Sequence, residues 1–203
     1  MRKITMDLSM QIATKGYYTP EEYLALEQVS DSKNEYRDGK IVPIPGVSKN
    51  HNKIAGNFYA ELKSALKGQD CDIYIGDVRL WIPRYRQYSY PDVMVVSGNC
   101  IYPGIDSTPV LNPSLIAEVL SNSTKNYDQG EKFLYYRSIN QLSEYILIDP
   151  AKYHVMQYNK LGNNQWLLTE YESKNAELML ESVDVQIPMS ELYDRVNFDE
   201  SEG

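Results

Sequence analysis

The sequence predicts an α/β (α+β) fold: a mostly antiparallel or mixed central sheet flanked by a few helices, with additional antiparallel strands toward the C-terminal end. Three observations carry this reading. Apolar residues recur every fourth position at Ile54, Phe58, Leu62 and Leu66, the period of an amphipathic helix. An Asp38-Gly39 pair separates two strand-like segments, the strongest short-range hairpin signal. Several strand-sized runs rich in Val, Ile and Trp then follow from residue 72 onward.

Taken in order, Thr19-Pro20-Glu21-Glu22 starts a helix: Thr19 caps, Pro20 takes the first turn and Glu22 completes a capping box, so a helix to about Val29 is expected. Glu35 to Val42 forms the hairpin. Ser48 caps and Gly68 terminates the long amphipathic helix. Strands are expected over Asp72 to Ile75, Asp77 to Ile82, Pro91 to Ser97 and Leu115 to Leu120. A second amphipathic helix spans about Lys125 to Ile139, with Phe133, Leu134, Tyr136 and Ile139 as its apolar stripe and Arg137 outside it. The strand Glu144 to Ile148 comes next. Further strands then turn at Lys160-Leu161-Gly162-Asn163-Asn164, and a short helix lies near Met189 to Tyr193. There is no internal repeat or interdomain linker, so one domain is expected over residues 1–203, its core at about 18–149 and a strand extension at about 150–195.

A chain of 203 residues with 42% hydrophobic and 24% charged residues can bury a core and is neither disordered nor fibrous. Its cysteines are Cys71 and Cys100, without a CxxC, so neither a disulfide framework nor a zinc finger is supported. The segment Met1 to Ile12 lacks an uninterrupted apolar stretch, and no apolar run approaches the roughly 20 residues that span a bilayer. A cytoplasmic, non-membrane protein is expected. A net charge of -8 argues against nonspecific coating of nucleic acid, so any such role must be local. Eighteen tyrosines against three phenylalanines suit half-wet surfaces or base stacking, and also plain strand surfaces.

Two acids interrupt apolar strands: Asp92 in Tyr90-Pro91-Asp92-Val93-Met94-Val95-Val96, and Glu118 in Leu115-Ile116-Ala117-Glu118-Val119-Leu120. A buried carboxylate needs a cation, hydrogen bonds or solvent. Two such oxygen donors on neighbouring strands suit a shared Mg²⁺ or Mn²⁺, and with it phosphodiester hydrolysis. The plain alternative is that Asp92 caps its strand while Glu118 pairs with an arginine such as Arg79. His51, in the first turn of its helix, could contact phosphate or simply be hydrogen-bonded. The run Arg84-Tyr85-Arg86-Gln87-Tyr88-Ser89-Tyr90 could grip a phosphate backbone through Arg84 and Arg86, or be a polar hairpin tip. No P-loop, dinucleotide fingerprint, nucleophile elbow or HExxH occurs.

The Pro91-Asp92 pair, the strand bearing Glu118, and the run Glu118-Val119-Leu120-Ser121-x-Ser123-Thr124 with Tyr127-Asp128-x-Gly130-Glu131-Lys132-Phe133 resemble the PD-(D/E)XK nuclease superfamily. More narrowly, they resemble its large family of bacterial restriction-endonuclease-like proteins. The likeness extends from about Tyr18 through Asp149 and includes Tyr18-Thr19-Pro20-Glu21-Glu22-Tyr23, Glu35-Tyr36-Arg37-Asp38-Gly39, His51-Asn52 and Asp77-Val78-Arg79. It implies a restriction-endonuclease-like core in which Asp92, Glu118 and the Val119 carbonyl hold the metal.

The superfamily's usual pattern places a lysine two positions after the glutamate, where this chain has Leu120. The resemblance makes Lys132, on the following helix, the candidate instead; its plain alternative is a solvated charge paired with Asp128. A flexible ammonium can reach a site from a neighbouring element. Glu35 resembles the extra acid that many members contribute from an N-terminal element, or else is a hairpin surface charge facing Lys40. DNA is the implied substrate, and a homodimer would supply two symmetric sites for a duplex. The alternative from another class is a noncatalytic binding or assembly module on the same fold.

Overall fold

The computed structural model describes residues 15–103, 109–121, 125–162 and 164–199. Helix α1 (Pro20–Glu27) opens with the expected capping box: Thr19 Oγ1 accepts from Glu22 N, and the Glu22 carboxylate accepts from Thr19 N. It ends at Glu27, short of the expected Val29, which is exposed. The hairpin β1 (Asn34–Arg37) and β2 (Lys40–Pro43) turns at Asp38 and Gly39, with φ of 41° and 95°. Positive φ at both central residues is what a two-residue hairpin turn requires. Gly39 is also forced by packing, since a Cβ there would lie 2.1 Å from the Tyr17 ring.

The long helix α2 (Lys49–Ala65) is capped by Ser48, whose Oγ accepts from His51 N. Next come β3 (Cys71–Ile75), β4 (Leu80–Ile82), β5 (Gln87–Ser89), β6 (Val93–Ser97) and β7 (Leu115–Val119). A continuous helical stretch, α3, has α-helical ends Lys125–Tyr127 and Phe133–Tyr136 around a π-helical turn, Asp128–Lys132. The chain closes with β8 (Glu144–Ile148), β9 (Val155–Gly162), β10 (Gln165–Tyr171), β11 (Glu177–Leu180), β12 (Val185–Pro188) and α4 (Met189–Leu192). The β9–β10 turn falls where the Gly-Asn signal predicted it; Asn163 itself lies outside the described residues, as do Met1 to Ile12, Ser123 and Thr124.

The central sheet is mixed, with order β10-β9-β8-β7-β6-β3, and its one parallel pair of strands is β7 with β8, joined by the crossover through α3. A second sheet, β2-β1-β5-β4, stands beside it. Alternation along β7 sorts its side chains between two layers. Leu115, Ala117 and Val119 pack with Ile54, Phe58 and Leu62 of α2, and that layer takes in Leu178, Leu180 and Ile187 of the C-terminal hairpin β11–β12. Ile116 and Leu120 face the opposite layer with Met94, Val96, Tyr136, Ile139, Tyr145 and Leu147. A third, tyrosine-rich cluster of Tyr18, Tyr23, Tyr36 and Tyr88 fills the small sheet.

Three expectations need correction. The strand expected over Asp77 to Ile82 is reduced to β4, because Gly76, at φ 65°, turns the chain just before it. Leu134 does not belong to the inward stripe of α3 and is 38% exposed; Tyr136 and Ile139 are buried as expected, and Asp128 and Lys132 are buried with them. Finally, residues 84–90 are no simple polar tip: β5 runs through them, and Gln87, Tyr88 and Ser89 are buried.

One buried acid tests how the fold handles charge. Glu144 is fully buried, accepts from Ser182 N at 3.1 Å and is bonded by Gln157 Nε2. Burial raises its carboxyl, with the Ser182 and Gln157 hydrogen bonds pulling back. A raised carboxyl favours folding below its unfolded value and weakens it as pH rises through the folded value. The Glu144→Gln variant should therefore gain in Tm relative to the wild type between pH 5 and pH 8; a difference that is flat or shrinks with pH would contradict it.

Candidate active site

The candidate site lies where the two sheets and both long helices meet. Asp92 immediately precedes β6, and the antiparallel register that sets Val93 against Ala117 brings it across from Glu118. Its Oδ2 accepts from Val119 N at 2.8 Å and faces His51 Nε2 at 3.1 Å. Asp92 thus ties the sheet to the N-terminal turn of α2 and is more than a strand cap. The Nδ1 of His51 is buried and has no hydrogen-bond partner among the described residues.

Glu118 projects from β7 toward α3. There Lys132 Nζ lies 2.8 Å from its Oε1, and Tyr136 donates its hydroxyl to the same oxygen at 2.7 Å. Arg79 is not its partner. Lys132 is itself buried, with Nζ 3.5 Å from Asp128 Oδ1 and 3.7 Å from Glu35 Oε1. It is therefore not a solvated helix charge, although the i−4 contact with Asp128 exists. Glu35 is also buried: the register sets it opposite Val42, not Lys40, and Arg37 Nη2 donates to its Oε2 at 2.6 Å.

These side chains line one cleft of about 100 Å³, together with Arg37, Tyr90, Tyr127 and Asp128. Arg84 and Arg86 do not reach it. Arg86 has left-handed backbone and bonds Asp38 and Tyr17, while Arg84 lines a separate groove. Three residues that the sequence reading named but did not assign to the site, Arg37, Asp128 and Tyr136, did leave a signal. Arg37 is two positions from Glu35 on one strand face, and Asp128 and Tyr136 are four positions either side of Lys132 on one helix face.

Electrostatics sharpen the picture. Burial pushes the Glu118 carboxyl up to about 8; Lys132 pulls it down, while Asp92 and Asp128 add to the rise. Burial also works against the Lys132 ammonium, but Glu118, Tyr136, Glu35 and Asp128 outweigh it and hold that group well above the usual lysine value. Lys132 is the fixed cation of the cluster, and Glu118 is the carboxyl whose proton burial retains.

Four carboxyls (Glu35, Asp92, Glu118, Asp128) line the cleft with two permanent cations (Arg37, Lys132). Among the described residues no three His, Cys, Asp or Glu side chains converge as a ready-made metal cage. Two hard oxygens, Asp92 Oδ1 and Glu118 Oε2, carry no hydrogen bond within the described structure. Carboxylate oxygens in such a cleft fit Mg²⁺ or Mn²⁺, which bind through one or two carboxylates and keep several waters.

A family model described as "Uma2: Putative restriction endonuclease" matches residues 20–190. The chain belongs to the Uma2 family. Two curated relatives, both from Synechocystis sp. (strain ATCC 27184 / PCC 6803 / Kazusa), are similar along most of their length. "Uncharacterized protein sll1609" is 43% identical over 169 residues, covering 83% of this chain and 96% of the relative. "Uncharacterized protein slr1290" is 34% identical over 176 residues, covering 86% and 90%. The fold matches the crystal structure of "a putative nuclease belonging to DUF820" from Anabaena variabilis ATCC 29413, with a TM-score of 0.71 at 19% identity, over 89% of this chain and 99% of that one. The restriction-endonuclease family membership and the mixed-sheet α+β fold expected from the sequence are thus both shown. Among the described residues no helix of this Uma2 chain is long and apolar enough to cross a membrane.

Removing Lys132 would leave buried carboxylates without their shared cation, and breaking a buried pair typically costs about 3–5 kcal/mol. Lys132→Met should lower stability by that order in urea titrations without metal. The loss should be larger at pH 8.5 than at pH 5, where Glu118 carries its proton and needs less compensation. Stability equal to the wild type at pH 8.5 would show that Lys132 does not hold the cluster.

Proposed function

We propose that this Uma2 chain is a metal-dependent endonuclease that hydrolyses phosphodiester bonds in DNA. The observation that carries the reading is the meeting of Asp92 and Glu118 at the ends of adjacent strands, with the Lys132 ammonium 2.8 Å from Glu118. In this reading Asp92, Glu118 and the Val119 carbonyl hold Mg²⁺ or Mn²⁺. The bound ion supplies Lewis-acid polarisation of the phosphate and a water of lowered pKa.

The remaining work falls to side chains of this chain. Val119 N–H and His51 hold Oδ2 of Asp92, leaving Oδ1 to ligate. Tyr136 and Lys132 fix Oε1 of Glu118, so the carboxylate cannot rotate freely. Lys132 is suited to orient water and to stabilise charge that develops on phosphate oxygens, since its cluster is built before substrate arrives. Glu35 and Asp128 tether that ammonium, and Glu35 doubles as the neutralising partner of Arg37. A homodimer in the cytoplasm, presenting two such clefts to a duplex, completes the proposal.

The deciding experiment is calorimetric titration of Mn²⁺ into wild type, Asp92→Ala and Glu118→Ala, beside a cleavage assay on duplex and single-stranded DNA. The wild type should bind saturably, with both variants losing binding and cleavage together. Metal at about one hundred times its Kd should raise wild-type stability by about 2.7 kcal/mol. Absence of Mn²⁺ binding by the wild type, with and without DNA, would instead favour a noncatalytic module built on the same fold.

A further inference from the structure

The acidic surface of this protein is interrupted by a strip of arginines and tyrosines along the outer face of α3. It starts at the cleft, where the Arg37 guanidinium lies 3.8 Å from the centre of the Tyr127 ring. Tyr127 neighbours Tyr135 at 6.4 Å, and Tyr135 contacts Tyr85 at 4.8 Å between ring centres. All three rings are partly exposed. Beyond Tyr85 opens a groove of about 350 Å³ whose lining includes Arg84, Arg137 and Trp166 and no acidic side chain. The guanidinium groups of Arg84 and Arg137 make their recorded contacts with rings, those of Tyr85 and Phe133, and form no ion pair among the described residues. Acids meet the strip at two points: Glu35 pairs with Arg37 at its cleft end, and Glu131 accepts from the Tyr135 hydroxyl at 3.5 Å; neither pairs with Arg84 or Arg137.

A net charge of -8 repels a polyanion from most of the surface, so two uncompensated arginines in one groove mark where one can dock. Partly exposed rings interleaved with arginines are the chemistry that holds single strands: bases stack on the rings while guanidinium groups meet phosphates. A duplex keeps its bases stacked on each other and has no use for the rings. From this juxtaposition we infer that the α3 face is a single-strand binding track, running from the Arg37 mouth of the cleft over Tyr127, Tyr135 and Tyr85 to a phosphate subsite at Arg84 and Arg137. The inference rests on the nuclease reading for what happens at the cleft end of the strand, and on its own residues for the binding.

The test uses the full chain and a fluorescent single-stranded DNA of about 12 nucleotides, within the site-size range of single-strand binders. EDTA prevents cleavage, and anisotropy is read over a series of salt concentrations. The double variant R84E/R137E should bind at least about tenfold more weakly, and its salt slope should shrink by about 1.4, as two lost phosphate contacts on a single strand require. Tyr135→Leu, which keeps apolar bulk without a flat ring, should weaken binding about tenfold with the salt slope unchanged. A control of equal charge change on exposed lysines elsewhere, K152E/K174E, should keep the wild-type slope.

Equal losses in R84E/R137E and the control would overturn the track, as would a duplex of the same length binding more tightly through the same arginines. Should R84E/R137E fail to fold, Arg84→Ala with Arg137→Ala gives the same reading at half the charge change. Mn²⁺-dependent cleavage is scored separately. Arginine-dependent binding without cleavage leaves the track standing and removes the hydrolytic reading; single-strand cleavage undiminished in R84E/R137E removes the track and leaves the hydrolysis.

Discussion

The structure around the cleft is organised by the need to compensate a carboxylate near the C-terminal end of a fully buried strand. Glu118 sits in β7, every residue of which is buried. An isolated ion in such a place is costly unless paired and hydrogen-bonded. The parallel β7–β8 pairing answers that need, because the crossover that a parallel pair demands carries α3 back across the sheet face and lowers Lys132 and Tyr136 onto Glu118. The hairpin β1–β2 contributes Glu35 and Arg37 from the second sheet, so local charge balance also joins the two sheets. Stability and chemistry draw on the same side chains here, as expected where pKa values are strongly perturbed inside a cleft.

Much of the fold was legible in the sequence wherever one period dominated. The four-residue spacing of Ile54, Phe58 and Leu62 fixed α2, and the Asp-Gly pair fixed the β1–β2 turn, because a two-residue hairpin leaves little other choice of backbone. The strands β6, β7 and β8 stood out as continuous apolar runs, since both their faces are covered. The pairing of Asp92 with Glu118 was inferable from their shared oddity within such runs. Short strands were harder. β5 has three residues, below the length at which alternation can be recognised, and without it Arg84 and Arg86 looked like neighbours of Asp92 when the chain in fact carries them away from it.

On α3 hydrophobicity gave only part of the inward face. Phe133, Tyr136 and Ile139 pack inward as their spacing predicts, but Leu134 is turned outward and Asp128 and Lys132 hold further inward positions. The reason lies outside the helix: Glu118 and Glu35, from β7 and β1, leave a site that only a cation can occupy at low cost. No window of sequence limited to α3 contains that information. The family resemblance pointed to Lys132 where the local pattern favoured a solvated surface charge.

The π-helical turn Asp128–Lys132 has a consequence for how this helix can vary in length. A π turn is an α-helix with an added residue, and each α-helical residue advances the side chain by about 100°. Within that turn the insertion sets the angular offset between the segment entering from Lys125 and the segment leaving toward Tyr136. Deleting one residue there would let the ladder relax to ordinary α geometry while rotating one segment against the other by roughly a quarter turn. Either Asp128 or Tyr136 would then leave the cluster. Insertions and deletions in α3 are the changes this architecture is least able to absorb.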